Sequence, residues 1–268
     1  MSWTVQAWAV AATILLWWGA TGLIASLIAR PSRTYPGLLW GASVAALAAL
    51  ATLWWIRDDP TVPGAAIGFV AALVVWGWIE VTFLTGLITG PRRTLPASVA
   101  PRGARHALAA FVAILWHELA IIVAIAAVAI LGFSHVNQIG LGALLVLWVM
   151  RSSAKLNLFL GVRNLGEGFI PPHLRHLLDY LHRRRMNALW PFSAALGSAL
   201  ALWLGSQAMG DAPPWEATGY TMLATLAWLG VLEHFLMVLP LPPEALWRRV
   251  AAPRAAPDAI DQLGEQRP

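Results

Sequence analysis

Cysteine is missing from this 268-residue chain. Its absence excludes disulfides, thioether-linked haem and thiolate metal sites. Charge is scarce as well. Asp, Glu, Lys and Arg make up 12% of the residues, about half the share usual in a soluble domain. That leaves no room for a separate soluble domain. The net charge of +5 does not signal nucleic acid, because the basic residues sit between apolar runs, where topology needs them. Near the N-terminus there is neither a positive region nor a small-residue cleavage site, so the stretch from Val5 reads as a retained span. A Ser-His-Asp order, a phosphate loop and a zinc motif are all lacking. The sequence therefore names no catalytic residue, and an enzyme is not the leading reading.

What remains is strongly apolar. Hydrophobic residues reach 59%, with sixteen tryptophans and a mean hydropathy of +0.65. A membrane span takes roughly 20 mostly apolar residues. Seven such spans are expected, at about Val5–Ile28, Leu38–Ile56, Gly64–Thr89, Ala107–Gly132, Ile139–Leu160, Ala188–Met209 and Thr218–Leu239. Each must be a transmembrane helix, since backbone in lipid has to satisfy its own hydrogen bonds. The expected fold is an all-α integral membrane bundle, one polytopic domain over 1–268 with a short tail from about 241.

Basic residues recur after alternate spans: Arg30 and Arg33, then Arg92, Arg93, Arg102 and Arg105, then Lys155 through Arg185, then Arg248, Arg249, Arg254 and Arg267. The other connections hold Arg57, Asp58 and Asp59, then no charge around 134–138, then Asp211 and Glu216. Positive residues favour the cytoplasm. The N-terminus is thus expected outside and the C-terminus inside. Trp54, Trp55, Trp190, Trp215 and Trp247 read as interface anchors. Trp17, Trp18, Trp76, Trp78, Trp116, Trp148, Trp203 and Trp228 lie deeper, where they either pack helices or face a large flat ligand such as a tetrapyrrole or carotenoid. The pairs Gly37/Gly41, Gly64/Gly68 and Gly86/Gly90 suit close helix contacts.

Most of the chemical variety lies between Trp148 and Asn187. Nine charged residues fall there: Arg151, Lys155, Arg163, Glu167, Arg175, Asp179, Arg183, Arg184 and Arg185. After Pro171-Pro172, the residues Leu174, Leu177, Leu178 and Leu181 recur at helical spacing opposite Arg175, Asp179, His182 and Arg183. That predicts a cytoplasmic amphipathic helix between the fifth and sixth spans, leucines towards the bilayer or bundle and Arg183–Arg185 at anionic headgroups. His173 and His176, three apart, fit a solvated face better than a metal site.

Polar groups inside spans are costly and informative. They are Glu80, His117, Glu118, Arg151, Lys155, Glu233 and His234. All are expected in the cytoplasmic half, with Glu80 about nine residues, or roughly 13 Å, from its span end. One reading pairs Arg151 and Lys155 with Glu80, Glu118 or Glu233, forming a buried charge cluster that locks helices together. The other makes a ligand site. No Glu-x-x-His or His-x-x-x-His pair supports a redox metal. A neutral His117 or His234 can instead serve as the axial donor to a tetrapyrrole magnesium, with Trp116 or Trp228 nearby.

The run Arg151-Ser152-Ser153-Ala154-Lys155-Leu156-Asn157, then Phe159-Leu160-Gly161-Val162, Asn164-Leu165, Pro172-His173-Leu174 and Arg183-Arg184-Arg185-Met186-Asn187, with Trp116-His117-Glu118-Leu119, resembles the PuhE family. This is photosynthetic complex assembly protein 2 of anoxygenic phototrophic bacteria. The likeness extends to chain length and span plan. It implies a multi-pass protein of the bacterial inner (intracytoplasmic) membrane. Its implied role is assembly of the photosynthetic reaction centre and light-harvesting complex, influencing bacteriochlorophyll supply or insertion. The implied cofactor is bacteriochlorophyll or a precursor. The implied partners are membrane lipid and either photosynthetic complex subunits or pigment-synthesis proteins. The alternative is a membrane enzyme or enzyme subunit of bacteriochlorophyll biosynthesis using the Glu/His cluster. A transporter ranks behind both, since no inverted repeat is visible.

Overall fold

The computed structural model describes residues 3–94 and 103–240. The expected tail from about 241 lies outside them, as do Arg102, Trp247, Arg248, Arg249, Arg254 and Arg267. Eight α-helices are present among the described residues: α1 (Trp3–Ile28), α2 (Tyr35–Trp55), α3 (Val62–Leu84), α4 (Ala104–Ala113), α5 (Leu115–Gly132), α6 (Ile139–Leu160), α7 (Trp190–Met209) and α8 (Pro214–Val238). No strand occurs among the described residues. The all-α membrane architecture expected from hydropathy is the one observed. Six helices are long and apolar enough to cross a membrane: α1, α2, α3, α5, α6 and α8. Helix α7 has the length, with 20 residues, but Ser193, Ser198, Ser206 and Gln207 dilute its apolar character.

Helices α3, α6 and α8 form the centre. Helix α7 packs along α8, α2 along α3, α1 against α8 and α3, and α5 against α6. The core follows: Phe69, Ile79, Leu144 and Met222 are almost wholly buried. Close helix approaches occur at Gly140, which faces the Gly68 backbone, and at Gly197 and Gly230, which both face Met150. The expected pair Gly37/Gly41 meets nothing within 4 Å. Gly86 and Gly90 meet a side chain and a backbone of non-neighbouring segments rather than a facing span. Of the deeper tryptophans, Trp76 is buried, whereas Trp18, Trp116, Trp203 and Trp228 are 43–55% exposed.

Two span boundaries differ from expectation. Helix α3 stops at Leu84, not Thr89. Gly86 takes a positive φ of 81°, and the chain folds back so that the Ile88 amide donates to the Thr82 carbonyl and the His117 amide donates to the Thr89 carbonyl. Thr89 and Gly90 are buried. The fourth span is also broken, at Ile114, into α4 and α5. The break sets α4 off from α5, with Ala109 and Ala113 packed on Tyr180 and Leu177 and the His106 ring stacked on Phe159 of α6.

The expected amphipathic α-helix after Pro172 is instead a 3-10 run over Pro172–Tyr180. A three-residue turn changes which side chains align. Leu174, Leu177 and Tyr180 share a face, and Leu174 and Tyr180 are buried. Leu181 is already in extended backbone. From there the chain pairs beside Val162, whose amide donates to His182 and whose carbonyl accepts from Arg184.

Candidate functional site

The polar groups gather at one end of the bundle. Glu80 is four residues from the end of α3, and His117 and Glu118 are in the first turn of α5. Arg151 and Lys155 are in the second half of α6, and Glu233 and His234 near the end of α8. Glu80, His117 and Glu118 are shallower than helix counting suggested, because α3 ends early and α5 starts late, whereas Arg151 and Lys155 keep their expected distance from the end of α6. Chain reversal between successive helices brings the C-terminal ends of α3, α6 and α8 beside the N-terminal end of α5. An acidic residue in a first helical turn is also favoured by the helix dipole.

Arg151 Nη2 donates to Glu80 Oε2 at 3.1 Å. Lys155 Nζ donates to Glu118 Oε1 at 2.5 Å. The two cations, one turn apart on α6, thus tie α6 to α3 and to α5. Glu233 makes no ion pair among the described residues, although it lies within electrostatic reach of Arg151 and Glu80. The cluster holds three carboxylates and two cations, so with both histidines neutral its formal charge is −1. Glu80 Oε1 and Arg151 Nε are buried without a hydrogen-bond partner.

The two histidines have different surroundings. His234 Nδ1 is 2.8 Å from the Gly230 carbonyl, so it carries the proton and donates there; Nε2 accepts from the Ser153 hydroxyl at 2.9 Å. Both nitrogens are used, in a contact between α6 and α8. His117 is fully buried, and neither ring nitrogen has a partner. Its ring lies 4.3 Å from that of Phe83, and Lys155 and Arg151 are its charged neighbours. Trp116 is 48% exposed and Trp228 44%, so both face outward. Among the described residues no group of three or more His, Asp or Glu side chains could hold a metal ion. His173 Nε2 donates instead to the Leu84 carbonyl at 2.9 Å, capping α3.

Below the cluster three asparagines clasp the chain. Asn157 Nδ2 donates to Ser193 Oγ at 2.8 Å and to the Ser153 carbonyl. Asn187 Nδ2 donates to the carbonyls of Asn157 and Gly161, while its Oδ1 accepts from the amides of Leu189 and Trp190. Asn164 Nδ2 donates to the carbonyls of Leu236 and Leu239 at the end of α8. Sequence reading passed over all three as site residues. An Asn just before an apolar run is a helix-start signal, and Asn187 carries it; nothing local marks Asn157 or Asn164.

Residues 3–258 match the model of a family described as a protein of unknown function, DUF3623. A curated protein of Rhodobacter capsulatus, described as an uncharacterized 30.4 kDa protein in the puhA 5' region, is 36% identical over 246 residues, covering 90% of this chain and 89% of that one. No solved structure matches. The kinship is to a protein of the puhA 5' region. With the family model spanning nearly the whole sequence, this chain belongs to the DUF3623 family.

Proposed function

We propose that this protein is an assembly factor of the bacterial inner membrane, supporting biogenesis of the reaction centre and light-harvesting complex by holding pigment beside α5. We further propose seven crossings, with α7 as the sixth, the N-terminus outside and the polar cluster towards the cytoplasm. The observation that carries the pigment reading is His117: a fully buried imidazole with two idle ring nitrogens. A buried polar group normally has a partner, so an unpartnered one suits a donor waiting for a ligand. The likeness to a protein of the puhA 5' region agrees with a role in phototrophic membranes.

A magnesium tetrapyrrole would, when bound, supply a metal centre that a neutral imidazole nitrogen would hold. His117 fits that requirement, because both of its ring nitrogens lack a partner. His234 does not fit, because Ser153 and Gly230 occupy its nitrogens. Phe83 closes one side of the His117 ring. The Thr89 carbonyl fixes the backbone of His117, so the turn 85–90 and the donor are positioned together.

Protein purified in mild detergent from pigment-producing cells should carry a tetrapyrrole absorption band. His117→Phe should lose it at normal protein yield, and His234→Phe should keep it in whatever protein folds. Wild-type protein without any pigment would overturn the reading and favour a scaffold for complex subunits. A second reading rests on Glu233, the carboxylate without an ion-pair partner, as a proton donor or acceptor in a membrane enzyme acting on a pigment precursor. Cells carrying Glu233→Gln should then accumulate that precursor; an unchanged precursor profile removes this reading.

A further inference from the structure

Away from the buried cluster, the segment after the α3 turn forms an open recess of about 310 Å³ lined by Pro91, Arg92, Arg93, Thr94 and Val112. Its rim is cationic. Arg57, Arg151 and Arg183 each pair with a carboxylate; among the described residues neither Arg92 nor Arg93 does. Arg92 Nε is buried and has no acceptor. No acidic residue lines the recess.

The recess is fixed from both sides. The Tyr180 hydroxyl donates to the Thr94 carbonyl at 3.1 Å, and Gly90 sits so close to the Val112 and Ala113 backbones that a Cβ there would collide. Its apolar wall continues along α4, which presents Leu108 at 63% and Phe111 at 50% exposure with Arg105 beside them. Two guanidinium groups with no ion-pair partner among the described residues, beside an outward apolar helix face, make an amphiphilic site. Guanidinium binds phosphate oxygens through paired N–H donors, and an apolar helix face takes up acyl chains.

We propose that this recess binds the phosphate of one anionic phospholipid, with its acyl chains along Leu108 and Phe111 of α4. The site is independent of the pigment reading. It would anchor α4 and the turn over His117 to the lipid of one leaflet.

The test is native mass spectrometry of the full-length protein in neutral detergent, titrated with phosphatidylglycerol and with phosphatidylcholine. One phosphatidylglycerol should be retained preferentially. Arg92→Gln and Arg93→Gln should each weaken retention about 5-fold, and together about 25-fold, at about 1 kcal/mol per basic residue. Arg30→Gln/Arg33→Gln, which changes a different basic connection, should leave it unchanged. If the double variant does not accumulate, exposed Arg93→Gln alone and Phe111→Ser serve instead, and both should weaken retention. Unchanged retention in the Arg92 or Arg93 variants would overturn the proposal. So would equal weakening by the Arg30/Arg33 variant, which would mean general surface charge. Displacement of the lipid by millimolar inorganic phosphate would assign the recess to a soluble phosphate and overturn the lipid assignment.

Discussion

Neutralising one member of the Lys155–Glu118 pair should have unequal effects. The side chains are 20% and 14% exposed and 2.5 Å apart. At an effective dielectric near 20 their attraction is about 7 kcal/mol before desolvation, and desolving each ion takes back several kcal/mol. The intact pair is therefore close to break-even, while stranding one partner costs about 3–5 kcal/mol. The surrounding charges split that range. Lys155→Met takes the cluster from −1 to −2, leaving Glu118 unpaired beside two other carboxylates. Glu118→Gln takes it from −1 to 0, leaving Lys155 near Glu80 as well as Arg151. Lys155→Met should thus cost about 3–5 kcal/mol and Glu118→Gln distinctly less. The double variant should recover most of the loss. Unfolding in mixed micelles, followed by tryptophan fluorescence, measures all three. The exposed pair Arg183–Glu167, with side chains 62% and 48% accessible, is the control, and Glu167→Gln should cost under about 1 kcal/mol. Glu118→Gln costing as much as Lys155→Met would refute the charge-surplus argument. Both within about 0.5 kcal/mol of wild type would refute any structural role for the pair.

Asn187→Ala removes the acceptor for the Leu189 and Trp190 amides at the start of α7 and two donations to the end of α6, and should cost about 2–4 kcal/mol in the same unfolding assay. Gly90→Ala forces a Cβ into the Val112–Ala113 backbone and should cost about 1–3 kcal/mol or block accumulation, whereas Gly41→Ala, with open space around it, should leave yield and thermal midpoint unchanged. Burial raises the Tyr180 phenol above its ordinary 10.0, with nearby Arg92 partly offsetting the rise. The phenol's contribution is then full below about pH 10 and fades as pH climbs through the raised value. Thermal midpoints above about pH 10 should fall more steeply for wild type than for Tyr180→Phe.

The helices were legible because lipid leaves the backbone no alternative, and the hydrophobic runs between Pro-rich connections mark them. The set of groups that meet at one bundle end was legible too, from their distances to span ends. The depth of Glu80, His117 and Glu118 was not. The run Phe111-Val112-Ala113-Ile114-Leu115-Trp116 carries no breaker, and its break at Ile114 is imposed by Gly90 against α4 and by the Thr89 carbonyl on the His117 amide. The segment after Pro172 has leucines at α-helical spacing, yet the observed 3-10 pitch aligns Leu174 with Tyr180 instead. Sequence also treated His117 and His234 alike. What separates them is Ser153 on α6, which donates to His234 Nε2 across the helix contact, and no local pattern announces that contact.

The placement of the charges has a consequence for how the chain is made. Glu118 and Lys155 lie on consecutive spans, α5 and α6, so they enter the bilayer as a hairpin whose charges cancel on arrival. Glu80 has no such neighbour. Its partner Arg151 is on α6, which leaves the ribosome only after α4 and α5. During that interval α3 holds a bare carboxylate near its end, at a cost of up to about 3 kcal/mol were it at the bilayer centre. Biosynthesis thus contains a waiting period, in which α3 is lodged by its apolar length alone. Only the arrival of α6 joins α3 to the α5–α6 hairpin as one locked membrane body.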